Sequence, residues 1–103
     1  MRVVVTERAY EALAGIEEYV ARDKPAAAVA LVERLLARVR VLVEHPAIGR
    51  VVPEIANPEV RELIERGYRI VYRSRSDLVE VLTVFEGHRL LSEQEREEFG
   101  GSA

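Results

Sequence analysis

The sequence predicts an α+β fold: an N-terminal strand, a helical hairpin packed on a small antiparallel β-sheet in the order β-α-α-β-β-β, and a short C-terminal helix. Three observations carry that prediction. The chain opens on the β-branched run Val3-Val4-Val5, continues through two long segments with an apolar residue every three or four positions, and then shows three short runs separated by tight turn signals.

Each element has its own local cause. Met1–Val5 reads as a strand, and Thr6 suits a helix N-cap with Glu7 favouring the first turn. Ala9, Leu13, Ile16 and Val20, flanked by Ala12 and Tyr19, form the stripe of a first amphipathic helix. Asp23-Lys24-Pro25 ends it and starts the next, because proline is tolerated in a first helical turn. The second helix is predicted from about Ala26 to Glu44. Ala28, Val32, Leu35, Val39 and Leu42 form one stripe and Val29, Leu36 and Val43 a second, a face wide enough to meet the first helix plus a sheet or a second copy. His45 to Arg50 is a breaker cluster, with His45 read as a helix C-terminal cap, and Val51 to Pro58 reads as loop. Val60–Glu65, Tyr68–Ser74 and Leu78–Phe85 then read as a meander, turning at Arg66-Gly67 and Arg75-Ser76-Asp77. Alternation puts Tyr68, Ile70 and Tyr72 on the helix side, as core, and Arg69, Val71 and Arg73 on a face expected to be partly open and basic. Ser92-Glu93-Gln94-Glu95 has capping-box spacing, and Gly100 to Ala103 is expected to fray.

Composition narrows the functional classes. A length of 103 residues with 49% apolar content fits one domain over residues 1–91, followed by an acidic, partly disordered tail over 92–103. The absence of cysteine removes disulfides, thiolate zinc sites and cysteine nucleophiles. With no leader-like start and no long apolar run, a soluble cytoplasmic protein without membrane attachment is expected. Residues 1–91 carry 14 basic and 14 acidic side chains, and all but Lys24 of the basic ones are Arg. A sequence pI of 5.5 argues against generic nucleic-acid binding, and no sequence-specific contact with nucleic acid is expected.

Most chemistries find no support in the pattern. The serines lack a nucleophile-elbow context, the glycines form no phosphate loop, and His45 and His88 stand too far apart to be paired metal ligands, so no metal or cofactor is expected. Glu17-Glu18 and Glu97-Glu98 read as solvated helix faces. What remains is Arg61, Arg66, Arg69, Arg73 and Arg75 on the meander, joined by Gly87-His88-Arg89. Such a cluster can hold phosphates and stabilise charge developing on one, with His88 as acid or base. It can instead dock an acidic segment of a partner. In the structural alternative, Arg61 and Arg73 pair across strands with Glu62, Glu65, Glu80 and Glu86.

Taken together, the pattern resembles the RelE/ParE superfamily of type II toxin–antitoxin toxins. The resemblance rests on the opening strand with Ala9, Leu13, Ile16 and Tyr19, on Pro25 with Ala28 and Leu31, and on His45-Pro46-Ala47-Ile48-Gly49-Arg50. Its most specific parts are Val60-Arg61-Glu62, Gly67 to Arg73, and Val81–Phe85 running into Gly87-His88-Arg89; the likeness spans about residues 2–91. The RelE-like branch implies a ribosome-dependent mRNA endoribonuclease with Arg69, Arg89 and His88 catalytic, but the tail after Arg89 offers no Tyr or His and no lysine-rich loop precedes the meander. The ParE-like branch is closer in its long hairpin, its His-Pro-x-x-Gly-Arg turn and the missing catalytic tail. That branch implies a plasmid-stabilisation-type toxin that poisons DNA gyrase by binding and does no chemistry of its own. Arg61, Arg69, Arg73 and Arg89 would then mark a surface for target or antitoxin. A cognate antitoxin, folding a C-terminal segment onto the Arg-bearing sheet and the Ala26–Val43 face, is the implied partner, in a homodimer or a toxin–antitoxin heterotetramer. The alternative of another class is a non-toxic interaction module using the helix face to dimerise.

Overall fold

The computed structural model describes residues 1–101. Its elements are β1 (Arg2–Val5), α1 (Glu7–Ala21), α2 (Pro25–Val41), β2 (Arg50–Val51), β3 (Val60–Glu65), β4 (Tyr68–Arg75), β5 (Leu78–Glu86) and α3 (Glu93–Gly100). The two-helix hairpin covers one face of a five-stranded sheet ordered β1-β5-β4-β3-β2. The expected α+β class and element order hold, with two refinements to the sheet. β1 runs parallel to β5, so the sheet is mixed, and Arg50–Val51, expected at the end of a breaker cluster and the start of a loop, pairs antiparallel with Arg61 and Glu62 of β3.

Local signals account for the element ends. Thr6 caps α1 by accepting from the Ala9 N–H at 3.2 Å, and its hydroxyl donates to the Val81 carbonyl at 2.7 Å, fastening the helix start to β5. Pro25 opens α2, which ends at Val41, three residues before the expected Glu44; a turn continues from there, with the His45 N–H donating to the Val41 carbonyl. Arg66 and Gly67 both have positive φ, as the two-residue turn joining β3 to β4 requires. Arg66 is the strained partner there, since only glycine enters that region freely.

The hairpin-side core contains Leu13, Leu35, Val39, Leu42, Leu63, Ile70, Tyr72, Val79, Val81 and Val84, with Tyr68 packed against it. Val79, Val81 and Val84 share one face because the register shifts between Val71 and Tyr72: Thr83 pairs with Val71 and Val81 with Tyr72, leaving Leu82 as the extra residue of a bulge. The opposite face, expected to be partly open and basic, carries a second core of Val52, Val60, Val71, Phe85, Leu91 and Phe99. The cover is α3, whose start is fixed by a complete Ser92/Glu95 capping box. Glu95 and Phe99 of α3 lie four residues apart and are both buried, with Leu91 buried four residues before them, so an otherwise acidic helix continues one stripe inward. Of the end expected to fray, Gly100 closes α3, and Ser102 and Ala103 lie outside the described residues. Among the described residues no helix is long and apolar enough to cross a membrane.

Candidate functional site

The meander arginines are arranged by strand parity into two separate groups. Arg61 pairs in register with Tyr72 and so lies on the hairpin side, whereas Arg69 pairs with Phe85 and lies on the α3 side. The single basic surface expected for Arg61, Arg69, Arg73 and Arg89 is therefore divided by the sheet itself. Arg61 donates to the Gly49 carbonyl at 2.9 Å. At the same point the Gly49 N–H donates to the Tyr72 hydroxyl at 3.0 Å, and burial pushes that phenol up from its ordinary pKa. Gly49 allows this close approach because a Cβ there would stand 2.6 Å from the Glu62 carbonyl oxygen. The His-Pro-x-x-Gly-Arg turn thus ends in a structural clamp.

Arg69 is the most enclosed cation, at 4% exposure. Its Nη1 and Nη2 form a fork on the two oxygens of Glu54, at 2.9 and 2.8 Å, and its Nε donates to Glu62 at 2.6 Å. Nη1 also reaches the Arg89 carbonyl at 3.2 Å, and the guanidinium lies 5.0 Å from the centre of the Phe85 ring. Glu54 stands on the turn between β2 and β3 and also accepts the Leu91 N–H at 3.1 Å, so it joins that turn, β4 and the approach to α3. The Arg69 guanidinium beside it holds the Glu54 carboxyl down at about 2, and the same pairing raises the Arg69 pKa further. Glu62 is wholly buried and accepts from Arg50 at 2.6 Å through its other oxygen.

Arg89 and Arg73 belong to a second, outer layer built on α3. Arg89 forks onto Glu95 at 2.8 and 3.1 Å, lies 4.2 Å from the Phe85 ring centre, and holds the Glu95 carboxyl at about 2. Arg73 donates to the Phe99 and Glu98 carbonyls at the C-terminal end of α3. Neither Arg61 nor Arg73 uses the cross-strand acids Glu62, Glu65, Glu80 or Glu86, so the structural alternative holds in kind but not in its partners. Acidic antitoxin residues opposite Arg69 and Arg73 would meet guanidiniums already engaged within the chain. Sequence reasoning missed Glu54, Glu95 and Glu98 as partners; the signal available, for Glu95 alone, was the four-residue spacing of Leu91, Glu95 and Phe99.

His88 is exposed and lines a surface hollow of about 610 Å³ with Arg50, Pro53, Glu54, Ile64, Gly67, Arg69, Gly87 and Leu90. Arg69 and His88 are thus brought to one hollow, while Arg89 turns away toward Glu95. The described residues contain no group of His, Asp and Glu suited to a metal ion. Two grooves score the hairpin side, one between α1 and α2 lined by Tyr10, Leu13, Ala14, Glu17, Val32 and Leu36, the other where α2 meets β1. Tyr10, Tyr19, Val29 and Val43 remain exposed there, Val29 on α2 and Val43 in the turn that follows it.

A family model describing the ParE toxin of the type II toxin–antitoxin system parDE matches residues 3–91. The chain belongs to the ParE toxin family. It is 38% identical over 88 residues to the candidate toxin Y4kP of Sinorhizobium fredii, a match covering 85% of this chain and 90% of that protein. Its fold is similar to that of a chain in the chromosomal ParDE toxin–antitoxin system from P. aeruginosa, with a TM-score of 0.72, 22% identity, and coverage of 84% of this chain and 95% of that one. The ParE side of the superfamily, the closer resemblance in the sequence, is the side these matches support. The family match ends at Leu91, just before α3.

Proposed function

We propose that this ParE-family toxin acts by binding, with DNA gyrase as its target and a cognate antitoxin as its neutralising partner. The observation that carries the binding reading is the state of Arg69. Every nitrogen of its guanidinium donates to an acceptor inside the chain, two of them the oxygens of Glu54. A catalytic arginine must be free to meet a phosphate, and releasing this one would leave the buried Glu62 carboxylate to the exposed Arg50 and take the fork from Glu54.

Antitoxin capture is supported by the hairpin side. Its grooves and the exposed Tyr10, Tyr19, Val29 and Val43 offer apolar anchors for a segment that folds on binding. One observation favours the ribonuclease alternative: His88 and Arg69 share a hollow.

Induced expression in a bacterial host tests the two readings, following growth, cell form and mRNA integrity for the wild type and His88→Ala. Filamentation with DNA-damage induction, intact mRNA and unchanged arrest in His88→Ala is the expected outcome. Cleaved mRNA, lost in His88→Ala, would make the protein a ribonuclease. Growth without arrest would favour the non-toxic interaction module.

A further inference from the structure

Docked α3 engages three arginines that come from three separate parts of the chain. Arg89, just after β5, forks onto Glu95; Arg8, in the first turns of α1, reaches Glu98 and Glu95; and Arg73 of β4 takes the terminal carbonyls of Phe99 and Glu98. The Phe99 ring packs in the cluster of Val60, Val71 and Phe85, with the Arg8 guanidinium 4.9 Å from its centre. The helix buries only Glu95 and Phe99 of its eight residues. A helix of two turns does not hold itself in water, so its order depends on these contacts.

Lifting α3 leaves every strand pairing and the whole hairpin-side core in place, because it contributes to neither. What it uncovers is an apolar strip of Val60, Val71 and Phe85, ringed by Arg8, Arg73 and Arg89. The family match stops short of this helix, so the surface beneath it lies within the family domain and the cover lies outside.

We propose that α3 is a displaceable cover over a docking surface for an acidic amphipathic helix of a partner protein. Charge and shape commit the surface to that occupant. Carboxylates three residues apart, as Glu95 and Glu98 are, satisfy Arg8 and Arg89, helix-terminal carbonyls satisfy Arg73, and an aromatic at the Phe99 position fills the slot between them. A nucleic-acid backbone could satisfy the arginines but would leave charged phosphate against Val60, Val71 and Phe85. The tether gives α3 an effective concentration on the order of millimolar, so a partner gains the surface only where α3 docks weakly or the partner docks better. The inference stands on this packing and is independent of the gyrase reading.

Native-state hydrogen exchange on the full chain tests the first half. Amides of Glu95–Phe99 should exchange through a local opening, at least tenfold faster than those of Ile70–Tyr72 in β4. Equal protection in the two segments would overturn the proposal, since α3 would then open only with the whole fold. The second half uses a labelled peptide with the sequence of residues 92–101. Full-length Phe99→Ala, its own cover loosened, should bind this peptide about tenfold more tightly than the wild type, and Phe99→Ala/Arg89→Gln should lose that gain. No gain in Phe99→Ala, or a gain for a single-stranded oligonucleotide in place of the peptide, would refute the acidic-helix occupant. If Phe99→Ala fails to fold, the exchange comparison on the wild type still decides whether the cover opens.

Discussion

Replacing Arg69 with Met keeps an unbranched side chain of comparable length while removing the cation. Its side chain is 5% exposed, and the Glu62 and Glu54 side chains that it serves are 0% and 13% exposed. After substitution Glu62 keeps Arg50, and Glu54 keeps backbone N–H donors such as that of Leu91 but loses the Arg69 cation from both of its oxygens. Breaking a buried ion pair from one side costs about 3–5 kcal/mol, because a desolvated charge is left behind. The Glu54 carboxyl gives a second route to the size of the effect. It is held at about 2 against an ordinary 4.5, chiefly by Arg69. At about 1.4 kcal/mol per pKa unit this corresponds to roughly 3 kcal/mol at neutral pH. Arg69→Met is therefore expected to lose about 3 kcal/mol, a large part of the stability of a domain this size.

The pH dependence fixes the cause. Because the folded-state pKa of Glu54 is depressed, its contribution is complete above about pH 4.5 and is lost as pH falls from there toward 2. Urea unfolding followed by circular dichroism at pH 7, 4 and 3 should show the wild type falling across that window. Arg69→Met should start lower and fall less steeply, keeping the share that Glu95 contributes. Arg69→Lys should recover only part of the loss, since a single ammonium cannot serve as the three-way fork between Glu54 and Glu62. A loss under about 1 kcal/mol at pH 7, or an acid slope unchanged from the wild type, would refute the account of Arg69 as a structural cation.

Further outcomes follow from other contacts. Gly49→Ala should destabilise by about 1–3 kcal/mol in the same urea assay, as the new Cβ would meet the Glu62 carbonyl at 2.6 Å and the Tyr72 hydroxyl at 2.7 Å. Thr6→Ala should cost about 1–2 kcal/mol, losing both the cap on Ala9 and the bond to Val81. Tyr72→Phe should cost about 1 kcal/mol, because the buried Gly49 N–H loses its acceptor. Glu95→Gln should speed exchange in α3, and the loosening of wild-type α3 as pH falls from 4.5 toward 2 should be absent from the variant.

The elements were legible where the signal is local. The stripe of Leu13 on α1 and of Ala28, Leu35 and Val39 on α2, the Arg66-Gly67 turn and the Ser92–Glu95 box each reside within a few residues of sequence. β2 was not, because two residues before Pro53 carry no alternation to read. The parallel partner of β1 and the bulge at Leu82 are set by pairing across the sheet, which the sequence of one strand does not encode. The site was the least legible part. Arg69 finds Glu54 fifteen positions back in the chain and Arg8 finds Glu98 ninety positions on, so no spacing rule connects them. Residue type pointed to an arginine site, while tertiary placement buried Arg69 and tied Arg61, Arg73 and Arg89 to acceptors within the chain.

The parallel pairing of β1 with β5 also dictates when the molecule can be complete. Thr6 and its partner Val81 are 75 positions apart, and β5 lies between β1 and the rest of the sheet. On a growing chain the strand made first therefore waits longest, and Val3-Val4-Val5 has no ladder to join until Leu78–Val81 has been added. Closing so long a loop is slow, and until it closes the hairpin stripe faces only part of its floor. A product interrupted before Leu78 lacks the strand that joins β1 to the other three and cannot be a shorter version of the same fold. Assembly is in effect a proofreading step, in which only a chain translated through Leu78–Glu86 acquires the shape of a toxin.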